Sequence, residues 1–301
     1  IVVLDSVFQK RGQTVTGQTT NPGDQGGVLV EKDLQGLLGL IQADTFLDKV
    51  GAYFMTGLKG DIVFPVQETA PAIQELTEIE TMNDSEILFS SFELKPTRRG
   101  TTVPISRQTL YQTSFDMQDI VLTAISEALA QKMNAEAIAN LLTIITSGNG
   151  NLLALGTNGA APTYNDMVAL EGLIDSFNHN RGVPKYLTNT KVRSKLKTTQ
   201  IFTGTSGAPV WSPDNVVNGY EGVVSNIVPA NLTKGTSTNA SAIIFGNFND
   251  FRIGMWGGTE FIVDPYSAKK KAQIEITANA FWAMKAVRTK SFAGIKDALT
   301  A

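Results

Sequence analysis

"TTVPISRQTLYQTSFDMQDIVLTAISEALA" (Thr101–Ala130) carries a β-like run into a serine and an arginine, then a short polar break, then an apolar stripe. The stripe continues at Ile120, Val121, Ala124, Ile125, Ala128, Leu129, Met133, Ala137, Ile138, Leu141, Leu142 and Ile145. This is helical spacing, with Ser114 or Asp116 placed to cap the first turn. A helix from Asp116 to Ile145 is about 40 Å long, beyond the usual globular length. "SGNGN" (Ser147–Asn151) ends it. The most sharply patterned part of the chain is thus a strand feeding a long helix, and it holds no reactive group.

Upstream of that junction the chain changes character. Residues 61–94 hold Asp61, Glu68, Glu75, Glu78, Glu80, Asp84, Glu86 and Glu93 and no Lys or Arg; Lys95, Arg98, Arg99 and Arg107 follow at once. "GDIVFPV" (Gly60–Val66) and "EILFSSFELKP" (Glu86–Pro96) have strand composition, and "MNDS" (Met82–Ser85) has turn chemistry. The expectation is a long hairpin with an acidic body and a basic base. Two strands alone are marginal in water, so such a hairpin needs another surface to lie on. Residues 1–34 are rich in Gly, Gln, Thr and Asn, with few apolar groups to offset the entropy of ordering. They are expected to form an extended arm, mobile or pinned to a partner. Leu37, Leu38, Leu40, Ile41, Phe46 and Leu47 then form a docking segment.

Downstream the pattern is mixed. Thr163–Phe177 is an amphipathic helix opened by a capping box of Thr163 and Asp166. "KYLTNTKVRSKLK" (Lys185–Lys197) gives a short strand, an Asn/Thr cap and a second helix. The last fifth is β-rich. In "AQIEITANAFWAMKAV" (Ala272–Val287), Ile274, Ile276, Ala278, Ala280, Trp282 and Met284 alternate onto one face, with Gln273, Glu275, Thr277, Asn279 and Lys285 on the other. The fold class is α+β.

Composition bounds the function. The chain has 301 residues, 42% hydrophobic and 18% charged, which is globular. Its longest apolar runs, Leu141–Ile145 and Gly36–Ile41, fall far short of the ~20 residues that span a bilayer, so a soluble chain with no membrane partner is expected. A net charge of −3 makes no case for wrapping nucleic acid. With no cysteine and the single histidine His179, thiolate chemistry and most His-based metal sites and relays are excluded. Ser194-x-x-Lys197 is the minimal pattern of a serine nucleophile with a lysine base, but the companion S-D-N and K-T-G motifs are absent in order. Gly148-x-Gly150 follows a helix rather than a strand, as a helix cap does. The Glu68–Glu93 carboxylates lack the regular loop of a calcium site. No catalytic residue, cofactor or metal is expected.

The order of parts resembles the tailed-phage major capsid proteins of the Hong Kong 97 type. The likeness rests on "FELKPTRRGTTVPISRQTLYQTSFDMQDIVLTAISEALAQKMNAEAIA" (Phe92–Ala139), "YLTNTKVRSKLK" (Tyr186–Lys197), "NGYEGVVSNIVP" (Asn218–Pro229) and "AIIFGNFNDFRIGMWGGTEFIVDPYSAKKKAQIEITANAFWAMKAVRTKSFAGIK" (Ala242–Lys296). The resemblance implies a Hong Kong 97-like capsid fold. Its parts would be an N-terminal arm and docking segment (1–50), an extended hairpin loop (51–103), a peripheral domain with a long spine helix (104–150 and 255–287) and an axial α/β domain (151–254 and 288–301). It implies copies of the chain as partners, in hexamers and pentamers of an icosahedral head shell. Portal, scaffolding or maturation protease and decoration proteins would be further partners, and packaged DNA an indirect one. The setting would be the virion, assembled in the host bacterial cytoplasm. The inter-subunit residues expected are Glu75, Glu78, Glu80, Asp84 and Glu86 on the hairpin against Lys95, Arg98, Arg99 and Lys269, Lys270 and Lys271 of the next copy.

Some members of that family weld subunits through a lysine–asparagine bond assisted by a glutamate. Here Lys59 or Lys95 would supply the lysine, but Thr277, Ala278 and Asn279 stand near the helper position and Glu275 is the nearest carboxylate. Without a base to take the lysine proton, no cross-linking is expected. The start at Ile1 fits the family habit of removing an N-terminal scaffolding segment. A cellular nanocompartment shell, which resembles the same fold, and a Ser/Lys hydrolase are the alternatives.

Overall fold

The computed structural model describes residues 46–300 apart from 80, 113–115, 179–181, 203, 205 and 206. The arm and most of the docking segment lie outside these residues, as do Glu80, Ser114 and His179. A single turn, α1 (Leu47–Val50), leads to strands β1 (Tyr53–Met55), β2 (Ile62–Gln67), β3 (Phe89–Leu94) and β4 (Thr97–Ser106). Helix α2 (Arg107–Gln112) and the long α3 (Met117–Ile144) follow, then β5 (Leu152–Leu153), α4 (Tyr164–Ser176), β6 (Lys185–Thr188) and α5 (Thr190–Thr198). Strands β7 (Val216–Val217), β8 (Tyr220–Val224), β9 (Leu232–Lys234) and β10 (Ser237–Gly246) come next. The chain then runs through β11 (Phe251–Met255), β12 (Glu260–Asp264), β13 (Gln273–Ala286) and β14 (Phe292–Leu299).

The local signals explain where the helices start. Asp116 caps α3, its carboxylate accepting from the backbone N–H of Gln118 at 3.0 Å and Asp119 at 3.2 Å. Thr163 and Asp166 form the capping box of α4. Asn189 caps α5 by accepting from Val192 N–H at 2.9 Å. The Gly148–Gly150 stretch does not cap α3 directly. A 3₁₀ turn over Ser147–Asn149 intervenes, and Gly150, at φ 71°, closes that turn in the left-handed region.

Strand β13 is the hub of a five-stranded sheet. Along one edge it pairs antiparallel with β4, from Gln273 opposite Ser106 to Trp282 opposite Thr97. Its other edge is shared by β12, over Glu275–Asn279, and β11, over Trp282–Ala286. A seven-stranded sheet runs β5-β14-β10-β6-β8-β7, with β9 also on β10. Strand β10 is buried on both faces. Ala242 and Ile244 join a core with Ala137, Ile138, Leu141 and Ile145 of the long helix and Trp282 and Met284 of β13. Ile243 and Phe245 join a second core under α4 and α5, with Met167, Leu170, Ile174, Val192 and Leu196. A strand covered on both sides reads as a continuous apolar run, which is why "AIIF" does not alternate.

The run "SAIIFGNFNDFRIGMWGG" (Ser241–Gly258) is two strands in different sheets. The chain crosses at Asn247–Asp250, and Phe251–Met255, of which the sequence reading placed 251–254 in the axial part and Met255 in the peripheral one, pairs with β13. A second crossing at Thr289–Ser291 runs beside the first. Asn247 N–H donates to the Ser291 carbonyl at 3.1 Å, and Ser291 Oγ donates to Asp250 at 2.5 Å.

Candidate assembly interface

The hairpin is built from β2 and β3, paired antiparallel from Ile62 opposite Leu94 to Gln67 opposite Phe89. Its root lies on its own chain: Phe92 and Leu94 are buried with Trp256, whose indole N–H donates to the Gly60 carbonyl at 2.6 Å. Beyond Gln67 and Phe89 the two legs are joined by single bonds rather than a ladder. Glu68 N–H donates to the Leu88 carbonyl at 2.9 Å, Leu88 N–H to Thr69 Oγ1 at 2.9 Å, and Asn83 N–H to Gln74 Oε1 at 3.2 Å. Apolar side chains stand out from this stretch: Ile73 is 99% exposed, Ile79 96% and Met82 71%. Burying such side chains is worth about 1.5–3 kcal/mol each, a gain this single chain leaves unused at the hairpin tip.

The acidic and basic sets differ in how far the chain satisfies them. Glu75, Glu78, Asp84 and Glu86 are all exposed on the hairpin, and among the described residues none of them forms an ion pair. Lys269, Lys270 and Lys271 form an exposed 3₁₀ turn between β12 and β13, likewise with no ion pair among the described residues. Lys95 is paired with Glu93 at 3.0 Å; the hydrogen bond and charge of Glu93 raise the Lys95 pKa and hold it protonated. Arg98 is held by a neutral group, Asn279 Oδ1, at 2.7 and 3.0 Å, so its charge is not cancelled.

Arg99 is engaged most fully. Its guanidinium grips Glu136 of α3 at 2.8 and 3.3 Å, donates to the carbonyls of Thr97 and Trp282 at 2.7 Å each, and lies over the Trp282 ring. Trp282 Nε1–H donates to the same carboxylate at 2.9 Å. Burial pulls the Glu136 carboxyl upward, but the hydrogen bonds and charge of its partners win and hold it below the ordinary 4.5. These contacts lock β4, the strand that follows the hairpin, to the long helix and to β13. Nothing in the sequence links Arg99 to Glu136 or Trp282; the only signal is the Arg98-Arg99 pair at the hairpin's exit.

The catalytic alternative finds no support in geometry. Ser194 Oγ donates to the Thr190 carbonyl of its own helix at 2.9 Å. The polar groove it lines, about 930 Å³, carries no His, Asp or Glu among the described residues. Those residues also hold no cluster of metal-ligating side chains and no helix long and apolar enough to cross a membrane.

Comparison with known proteins agrees with this picture. The model of the Phage capsid family matches residues 26–297. The major capsid protein of Halomonas phage phiHAP-1 is 26% identical over 263 residues, 84% of this chain. The chain spans 41% of the length of that curated relative. The capsid of a native GTA particle superposes with a TM-score of 0.75 at 16% identity, over 95% of this chain and 100% of that one. Mycobacterium phage Adephagia gives 0.71 at 11% identity, over 92% and 98%. Gordonia phage Cozz gives 0.69 at 16%, over 95% and 97%. These solved structures share the fold.

Proposed function

The chain belongs to the phage capsid family, and from that premise we propose that it is the repeating subunit of a tailed phage's icosahedral head shell, its major capsid protein. The observation that carries this reading is the hairpin, on which Ile73 and Ile79 stand almost fully exposed. An isolated monomer gains nothing from such residues, whereas a shell covers them with the next copy.

On this reading residues 51–103 are the extended loop, the long helix and the β13 sheet the peripheral domain, and the seven-stranded sheet with α4 and α5 the axial domain around five-fold and six-fold centres. The unpaired carboxylates Glu75, Glu78, Asp84 and Glu86 of one copy meet Lys269–Lys271 of another, with Arg98 as a further cation. Glu80 joins the acidic set by sequence, while Lys95 and Arg99 already hold partners in their own chain. Exposed ion pairs contribute only about 0.2–1 kcal/mol each, so they set register while apolar burial supplies affinity. Portal, scaffolding or protease and decoration proteins would complete the particle in the host cytoplasm. Electron microscopy of the purified protein tests the proposal directly. Closed shells of uniform size are expected; a protein that stays monomeric across concentration, salt and crowding conditions refutes it.

A further inference from the structure

Among the described residues the chain passes three times between the seven-stranded sheet and the long helix with its five-stranded sheet. The passes are 145–151 from α3 to β5, 247–250 from β10 to β11, and 287–291 from β13 to β14. They meet in one polar cluster, at the centre of which Asn151 is 0% exposed. Its Oδ1 accepts from the Thr146 N–H at 2.9 Å. The two N–H groups on its Nδ2 serve three carbonyls, Ile144 at 3.2 Å, Thr289 at 3.1 Å and Phe292 at 2.9 Å. One carboxamide thus ties the end of the long helix to the third pass.

The third pass is tied in turn to the second. Asn247 N–H and Ser291 Oγ make the two bonds described above, and Val287 N–H donates to the Asp250 carbonyl at 2.9 Å. A Cβ on Gly246 would stand 2.5 Å from the Ser291 carbonyl, so these two passes run in direct contact. Lys296 of β14 reaches back to the Leu142 carbonyl, in the last turn of the long helix, at 2.6 Å.

The apolar core that the helix shares with both sheets does not by itself fix their angle. Hydrophobic burial is non-directional, whereas hydrogen bonds weaken steeply when misaligned. A buried polar group with every donor and acceptor met therefore selects one arrangement among those the core allows. In a closed assembly of identical subunits, the rotation between neighbours decides whether and at what size the surface closes. A subunit built of two parts passes any change in its internal angle into that rotation.

We infer that this joint, with Asn151 as its pin, fixes the angle between the two sheets and thereby sets the curvature of the shell. Asn151 is a positioning residue for assembly. The inference rests on the shell reading above and adds to it the residue on which particle size depends.

Asn151→Asp is the direct test. An ionised aspartate has nearly the same size and keeps the acceptor for Thr146, but it has no hydrogen for the three carbonyls. Particles assembled from this variant are expected to lose the single diameter of the unsubstituted chain, spreading over several sizes or staying open in electron micrographs. Leu141→Ala weakens the same core without touching the joint, and should give fewer particles of unchanged diameter. A uniform, unchanged diameter from Asn151→Asp overturns the inference, as does an equal spread from Leu141→Ala. If Asn151→Asp does not fold, Ser291→Ala opens the joint at its other tie and carries the same expectation. Hydrogen exchange of the unassembled variant gives a second readout. It should speed up at Thr146, Asn247 and Gly294 while the β13 amides stay protected; a uniform loss of protection would show that Asn151 serves folding alone, and overturns the inference. Failure of the unsubstituted chain to form particles would instead sink the shell reading.

Discussion

Arg99 shows how a surface-looking charge can be structural. It is one of two adjacent arginines at the foot of an acidic hairpin, yet it is held within the chain by Glu136 and two main-chain carbonyls. Arg99→Ala should therefore destabilise the unassembled subunit by about 2 kcal/mol in denaturant titration. Arg99→Lys should recover less than half, because an ammonium cannot reproduce the two-pronged contact. The same cluster sets an acid limit. Glu136 has its folded pKa depressed, so its contribution is complete above the ordinary 4.5 and is lost as pH falls through the lowered folded value. Melting curves below pH 4.5 should fall more steeply for the native chain than for Glu136→Gln; parallel curves would show that the pair is inert. Lys95 bears on covalent chemistry. Glu93 holds it protonated and so removes its nucleophilic lone pair, and particles boiled in denaturant should run as monomers rather than a ladder.

At the level of elements, close approaches decide which substitutions are tolerated. Gly222 of β8 lies under the Trp211 ring, where an added Cβ would come within 2.4 Å of the indole. Gly222→Ala should cost about 1–3 kcal/mol through overpacking, read as a shift in denaturation midpoint at unchanged slope. Gly100 serves the same purpose where β4 meets β13: a Cβ there would meet the Ala278 carbonyl at 2.5 Å. The long helix is anchored unevenly. Its final turns carry Ala137, Ile138 and Leu141 into the main core, whereas in its first half Ile125 alone is fully buried, with Ala124 and Ala128 exposed. Leu141→Ala should cost about 2–5 kcal/mol, and substitutions at Ala128 should leave the free subunit's stability within about 0.5 kcal/mol.

For the molecule as a whole, the subunit should be separable from its assembly device. Replacing residues 68–88 by a short turn removes the exposed tip but leaves the buried root at Phe92 and Leu94. The free protein should keep its melting temperature and lose the ability to form particles; loss of folding instead would show that the tip stabilises its own chain. Much of this design was legible in the amino-acid order. The cap at Asp116, the box at Thr163 and Asp166, the cap at Asn189 and the alternation along Gln273–Ala286 depend on groups within a few residues of one another, and local hydrogen bonding and side-chain period determine them. What only the tertiary structure decided are the meetings across long stretches of chain: Arg98 with Asn279, 181 residues apart, Arg99 with the Trp282 carbonyl, 183 apart, and the crossing between sheets at Asn247–Asp250. No local periodicity encodes such pairs, because they arise where two sheets and one helix pack around shared apolar cores.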